Sequence, residues 1–107
     1  DSIFIRVKTA CAFFPATAFS PNGDGKNDWF YPKTAPCIRQ VRSWAVYNRW
    51  GQQVFFRQDF SPNQETLGWN GKLGSRDAPS GVYVWMAELE YADGRVERRK
   101  GEVVLLR

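Results

Sequence analysis

The segment FSPNGDGKND, residues 19–28, carries the side chains of this sequence that are best suited to bind a metal ion. Asn22, Asp24 and Asp28 follow one another at spacings of two and four residues, and Lys26 offers a backbone carbonyl between the two aspartates. Carboxylate, amide and carbonyl oxygens are the ligands that Ca²⁺ takes in proteins. These four residues therefore predict a calcium site, and with two carboxylates its dissociation constant is expected at roughly 10⁻⁴ to 10⁻³ M.

The same loop also has a purely structural interpretation. Asn22-Gly23 and Asp24-Gly25 are successive Asx-Gly pairs, which favour tight turns because glycine accepts positive φ and the Asx side chain bonds nearby backbone. An EF-hand is excluded, because the loop position that needs a bidentate glutamate holds Lys33. A weak calcium site and a set of capped turns both remain open. No cofactor other than Ca²⁺ is expected.

The two cysteines, Cys11 and Cys37, lie on either side of this loop. A disulfide between them would stabilise the chain by roughly 3 to 4 kcal/mol on the chain-entropy argument, and it would suit an oxidising compartment. Two independent buried thiols are the alternative. The sequence has no histidine, so a zinc site is not expected. Nor is an enzyme expected, because no serine or cysteine has a credible base beside it.

Length and composition indicate a single domain over residues 1–107, which we expect to be monomeric. No apolar run approaches the length of a membrane span, and the chain does not start with a signal peptide. The formal charge of +4 comes from scattered basic residues. The densest run, RVERRK at 95–100, alternates along a predicted strand, so we expect no nucleic-acid partner.

Period-two alternation and turn signals recur along the chain and predict an all-β, immunoglobulin-like β-sandwich of about seven strands. Asp93-Gly94 predicts a tight hairpin, and Val82 to Trp85, apolar on both faces, predict a central strand within the core. Asp59 to Ser80 is interpreted as a long connection in which Leu67 and Trp69 point inward. The main predicted strands are Ser2–Lys8, Arg39–Asn48, Gln53–Gln58, Gly81–Ala92 and Arg95–Leu106.

Five motifs occur in a distinctive order: FSPNGDGKND at 19–28, VYNRWGQQVF at 46–55, WNG at 69–71, PSGVYVW at 79–85 and GEVVLLR at 101–107. Together they resemble the gliding-motility-associated C-terminal domain, the type B sorting domain of the type IX secretion system of Bacteroidota. Asn70 departs from that pattern, which usually has aspartate there, and the stretch Gln58 to Leu67 looks longer than usual.

The resemblance implies a non-catalytic C-terminal domain of a larger secreted or cell-surface protein. Such a domain directs the export of the preceding cargo through the periplasm and across the outer membrane, with surface attachment as a second role to test. It implies two partners, the type IX translocon and an outer-membrane or attachment protein. Arg107 is then expected to be the natural C-terminus.

Partner recognition is assigned to six residues: Asn48, Arg49, Trp50 and Gly51 at a hairpin tip, and Glu102 and Arg107 near the end of the chain. The alternative at the tip is that Trp50 covers the end of the core and Arg49 stacks on it. A carbohydrate-binding or adhesive β-sandwich is the competing function, because aromatic rings stack on sugars. Two or three coplanar exposed indoles among Trp29, Trp44, Trp50, Trp69 and Trp85 would favour it.

Overall fold

The computed structural model describes residues 13, 15–23 and 28–107 of the chain. Strands account for most of the regular structure in these residues, and the only helix among them is a short 3₁₀ turn at Glu65–Leu67. None of the described residues forms a helix long and apolar enough to cross a membrane. The strands are β1 Ala18–Phe19, β2 Ile38–Tyr47, β3 Gln53–Phe60, β4 Lys72–Leu73, β5 Arg76–Asp77, β6 Gly81–Tyr91 and β7 Val96–Leu105.

Five of these seven strands form one sheet in the order β1-β7-β6-β2-β3, and β4 and β5 form a separate small hairpin. All neighbours in the large sheet are antiparallel except β1, which pairs parallel with β7 through Ala18 to Val104 and Phe19 to Leu105. The predicted all-β sandwich of about seven strands is confirmed. The strand expected over residues 2–8 lies outside the described residues.

The hairpin predicted at Asp93-Gly94 is confirmed, and its local chemistry is visible. Gly94 has φ 94°, which a residue with a side chain rarely adopts. The Asp93 Oδ1 atom accepts the Arg95 N–H at 3.0 Å, and the Tyr91 N–H donates to the Arg95 carbonyl at 2.8 Å. This turn sets the register of β6 against β7, the longest pairing in the sheet.

The core lies against one face of the large sheet and is built mainly from aromatic rings. The Trp44 and Trp85 rings stack with centroids 5.5 Å apart, and Phe30 lies 5.0 Å from Trp44. Trp69 is almost completely buried and meets the edge of Tyr83 at 5.0 Å. Gly101 is required by this packing, since a Cβ there would lie 2.6 Å from the Trp85 ring.

Two expectations need correction, one about burial on β6 and one about the segment 59–80. β6 is the central strand, as predicted, but only Tyr83, Trp85 and the residues in phase with them are buried, whereas Val82 and Val84 are exposed. The stretch 59–80 is more than a connection, because β3 extends to the buried Phe60 and the hairpin β4–β5 lies within it. The inward positions predicted for Leu67 and Trp69 are confirmed.

Candidate recognition site at one end of the domain

Three of the five motifs meet around a cleft of about 470 Å³ at one end of the sandwich. Residues distant in sequence face each other across it because Phe19 pairs with Leu105 and the Trp69–Asn70–Gly71 segment packs beside them. The cleft carries acidic, basic and amide groups around one half-buried indole. Its described lining comprises Pro21, Asn22, Gly23, Asp28, Trp29, Asn70, Lys72, Asp77 and Arg107.

The other two motifs meet at an adjacent depression, where the turn after β2 faces the start of β6. The hydroxyl of Tyr83 donates to the Pro79 carbonyl at 2.7 Å, which fixes the chain just before β6. Burial raises the pKa of Tyr83, and the positive charges of Arg107 and Arg49 oppose that rise. Tyr83 therefore lies between an arginine of each region. We refer to the cleft and this depression together as the motif end.

Asn48 organises the NRWG turn. Its Oδ1 atom accepts the N–H groups of Trp50 and Gln52, both at 2.9 Å, and its Nδ2 group donates to Gln52 Oε1 at 2.8 Å. Gly51 completes the turn with φ 83°. Asn48 and Gly51 thus act on the backbone of the turn and determine where the intervening side chains point.

The side chains that the turn presents are Arg49 and Trp50. Trp50 is 73% exposed, so it does not cover the end of the core as the structural interpretation supposed. The Arg49 guanidinium lies 5.0 Å from the centre of the Trp50 ring, a cation–π pair held at the surface. Tryptophan and arginine are both among the residue types enriched at the energetic centres of protein interfaces.

Arg107 acts as a clamp. Its Nε group donates to the Ala78 carbonyl at 2.7 Å and its Nη2 group to the Gly71 carbonyl at 2.5 Å, while its backbone N–H donates to Ser80 Oγ at 3.1 Å. The side chain is mostly buried, with the Asp77 carboxylate 3.8 Å from Nη1. Arg107 therefore ties the WNG loop to the segment before β6.

Asp28 makes turn-capping contacts in the first motif, since its Oδ1 atom accepts the N–H groups of Asn22 at 3.1 Å and Gly23 at 3.0 Å. Asp24 and Lys26 lie outside the described residues, so the calcium site stays a prediction. Within the described part of the chain, no three acidic, cysteine or histidine side chains come together. A site here needs the oxygens of residues 24 and 26.

The remaining predicted site residues are not at the motif end. Glu102 is exposed on the opposite face of the sheet from the core, across from Val84. Cys37 is partly buried just before β2, at the far end of the sheet, where its carbonyl accepts the Ala92 N–H at 2.8 Å. Cys11 lies outside the described residues, and the disulfide stays a prediction.

The five tryptophans do not form a sugar-binding platform. Trp44, Trp69 and Trp85 are buried, Trp29 is half-buried in the cleft, and Trp50 alone is largely exposed. No coplanar pair of exposed indoles exists, which was the observation that would have favoured a carbohydrate-binding module. Sequence reasoning missed Lys72 and Asp77 in the cleft, since neither belongs to a motif and only the hairpin β4–β5 brings them there.

Fold and site together define a small β-sandwich that gathers five sequence motifs at one end, the architecture of a recognition module. Residues 13–105 match the family model CHU_C, the type IX secretion signal domain. The chain belongs to this family, as the resemblance in sequence indicated. No curated protein matches the chain. A type IX secretion signal implies contact with the secretion machinery and a destination at the cell surface or outside the cell, and it suggests a non-catalytic role.

Proposed function

We propose that this domain directs the polypeptide preceding it across the outer membrane through the type IX machinery, and that the machinery reads the motif end. The observation that carries the proposal is the convergence of the five family-like motifs around the cleft and its adjacent depression. The segments are far apart in sequence, so only the folded domain presents them together. Recognition is therefore of a folded shape.

Within the motif end, Arg49 and Trp50 are assigned the direct contact with the translocon or an outer-membrane partner. Trp50 is 73% exposed, and a large apolar side chain that remains in solvent is a candidate for contact with a partner. Asn48 and Gly51 hold the turn, and Arg107 holds the two loops behind it. These three are positioning residues, which act through the backbone that they fix.

The test is an export assay in a host that possesses the type IX system. The chain is fused behind a signal peptide and a fluorescent cargo, and cargo is measured in periplasm, on the cell surface and in the medium. We expect cargo outside the cell, and the surface fraction measures attachment. Periplasmic retention of the fusion, while an established type IX signal exports the same cargo in parallel, would contradict the proposal.

The matched variants are Trp50→Ala and Val96→Ala, since both side chains are large, apolar and exposed, but Val96 lies beside the Asp93-Gly94 turn, at the opposite end of the sheet from the motif end. We expect Trp50→Ala to stop or strongly reduce export and Val96→Ala to leave it unchanged, with both domains folded. Equal export by the two variants would remove Trp50 from the recognition surface.

A further inference from the structure

The face of the large sheet that points away from the core carries a row of exposed apolar side chains. Val82, Met86 and Phe56 are 47%, 46% and 49% exposed. Met86 pairs with Ala45, and Ala45 pairs with Phe56, so the row crosses three neighbouring strands. We call this surface the outer face. Exposed apolar side chains gathered on one face of a sheet can mark an interaction site.

The outer face contains a depression, called the dent below, as well as exposed apolar side chains. Ser43 and Ala45 are small and lie on the middle strand β2, whereas Tyr47, Phe56 and Met86 stand around them. The resulting depression has a volume of about 200 Å³. Its walls are apolar at Tyr47, Phe56 and Met86 and charged at Glu88, Arg98 and Arg99. Such a depression accepts a large apolar side chain from a partner, in the manner of an anchor residue in an interface pocket, with charged groups beside it.

The charges beside the dent are of both signs, but the positive ones are the more exposed. Arg98 pairs with Glu88 at 3.1 Å, Arg42 pairs with Glu90 at 3.5 Å, and Arg39 pairs with the same Glu90. The side chains of Arg98, Arg42 and Arg39 are 84%, 48% and 58% exposed. Those of Glu88 and Glu90 are only 31% and 13% exposed. An approaching partner therefore meets cations first.

We propose that the outer face is a docking surface for an acidic, amphipathic segment of a protein partner, which places an apolar side chain in the dent and carboxylates beside Arg98 and Arg42. Apolar contact and charge complementarity then act on the same segment. An anionic lipid surface would also attract these arginines, but membranes take up protruding apolar groups, whereas the centre of this surface is a depression. The surface is separate from the motif end.

The experiment uses short random peptides displayed on phage and selected on the purified chain, with candidates resynthesised for affinity measurement. We expect the selected peptides to combine large apolar residues with Asp and Glu. Met86→Gln should weaken their binding by about tenfold or more, as expected for an interface anchor. Arg98→Glu should weaken acidic peptides and select basic ones instead. Leu73→Gln, an exposed apolar position on the hairpin β4–β5, should change nothing.

Several results would overturn the proposal: no enriched peptides, peptides that are basic, or peptides whose affinity is the same for wild type and Met86→Gln. Binding to phosphatidylglycerol vesicles in place of peptides would assign the face to a membrane. A dimer in light scattering that Met86→Gln dissociates would assign it to a second copy of the chain. If Met86→Gln fails to fold, Arg98→Glu decides, since that side chain is largely solvated.

Discussion

The two long hairpins of this domain end in turns that share their local chemistry but differ in what they do with it. At the NRWG turn, Asn48 caps the backbone, Gly51 has φ 83° and Arg49 lies 5.0 Å from the Trp50 ring. At the Asp93-Gly94 turn, Asp93 caps, Gly94 has φ 94° and Arg95 lies 4.7 Å from the Tyr91 ring.

The difference between the two turns is the position of the aromatic ring. Trp50 is exposed at the tip of its hairpin, whereas Tyr91 precedes its turn on β6 and is buried in the core. A capped glycine turn with a cation–π pair is thus a way to build a hairpin end, and it carries no function by itself. Burial distinguishes the two aromatic side chains: Tyr91 belongs to the core, whereas Trp50 is exposed and is the residue to which we assign the proposed contact.

The comparison of the two turns is tested most strongly by removing the aromatic side chain of each, Tyr91 and Trp50. Tyr91→Ala should lower the free energy of unfolding by about 3 kcal/mol or more, because a buried aromatic side chain is lost from the core. Trp50→Ala should change it by only about 0.5 kcal/mol, since surface substitutions rarely do more. Chemical denaturation of both variants measures this difference. Similar losses for the two would mean that the turns are equivalent.

Arg107→Met should have the next largest effect, because it leaves the Gly71 and Ala78 carbonyls without their charged donor. Loss of hydrogen bonds to partly buried groups costs roughly 1 to 3 kcal/mol. Arg98→Met is the matched control, since that arginine is largely solvated and its surface ion pair should contribute under about 1 kcal/mol. Thermal unfolding of the two variants side by side gives the answer, and equal melting temperatures would refute the clamp.

Calcium should stabilise the folded domain by binding at the motif end. If residues 22–28 form the expected weak site, 1 mM Ca²⁺ adds about 0.4 to 1.4 kcal/mol by mass action, for a dissociation constant of roughly 10⁻³ to 10⁻⁴ M. The measurement is the melting temperature with Ca²⁺ and with EDTA. Asp28→Asn should remove the difference and Asp93→Asn should preserve it. A wild-type curve that EDTA does not move would leave only the capped turns.

The smallest effect concerns pH and the Asp93-Gly94 hairpin. The hydrogen bond from Tyr91 lowers the pKa of Glu97, and the same bond is the main cause that raises the pKa of Tyr91. A lowered carboxyl pKa adds stability that is present above the unfolded value of about 4.5 and is lost as pH falls through the folded value.

We therefore expect wild type to lose slightly more stability between pH 6 and pH 3 than Glu97→Gln does, by a few tenths of a kcal/mol, because Glu97 is half-exposed. Tyr91→Phe should fall between the two, because Arg99 still pairs with Glu97 and lowers its pKa. Melting temperatures measured at several pH values report the effect. Parallel profiles for all three proteins would show that the bond does not contribute.

Local features of the sequence were sufficient to predict the four long strands of the described residues, but not the short hairpin β4–β5. Alternation along Arg39–Asn48 and the β-rich run Gly81–Ala92 predicted the strands observed at Ile38–Tyr47 and Gly81–Tyr91, and Asp93-Gly94 predicted the turn that sets the register of β7. Trp69 was correctly placed inward within a polar stretch. These succeed because strand period and turn geometry depend on backbone preferences of residues adjacent in the chain.

Burial and convergence were decided only by the tertiary structure. Val82 and Val84 have the composition of a core strand, yet their face is exposed, because burial depends on which other segment packs there. Nothing adjacent in the sequence predicts the position of the Arg107 side chain. It donates to the carbonyls of Gly71 and Ala78, which lie some 30 positions earlier in the chain. For Trp50 the sequence favoured a structural role over a partner contact, and only the structure shows that its side chain is exposed. In each case the outcome depends on residues far away in sequence, which no local pattern encodes.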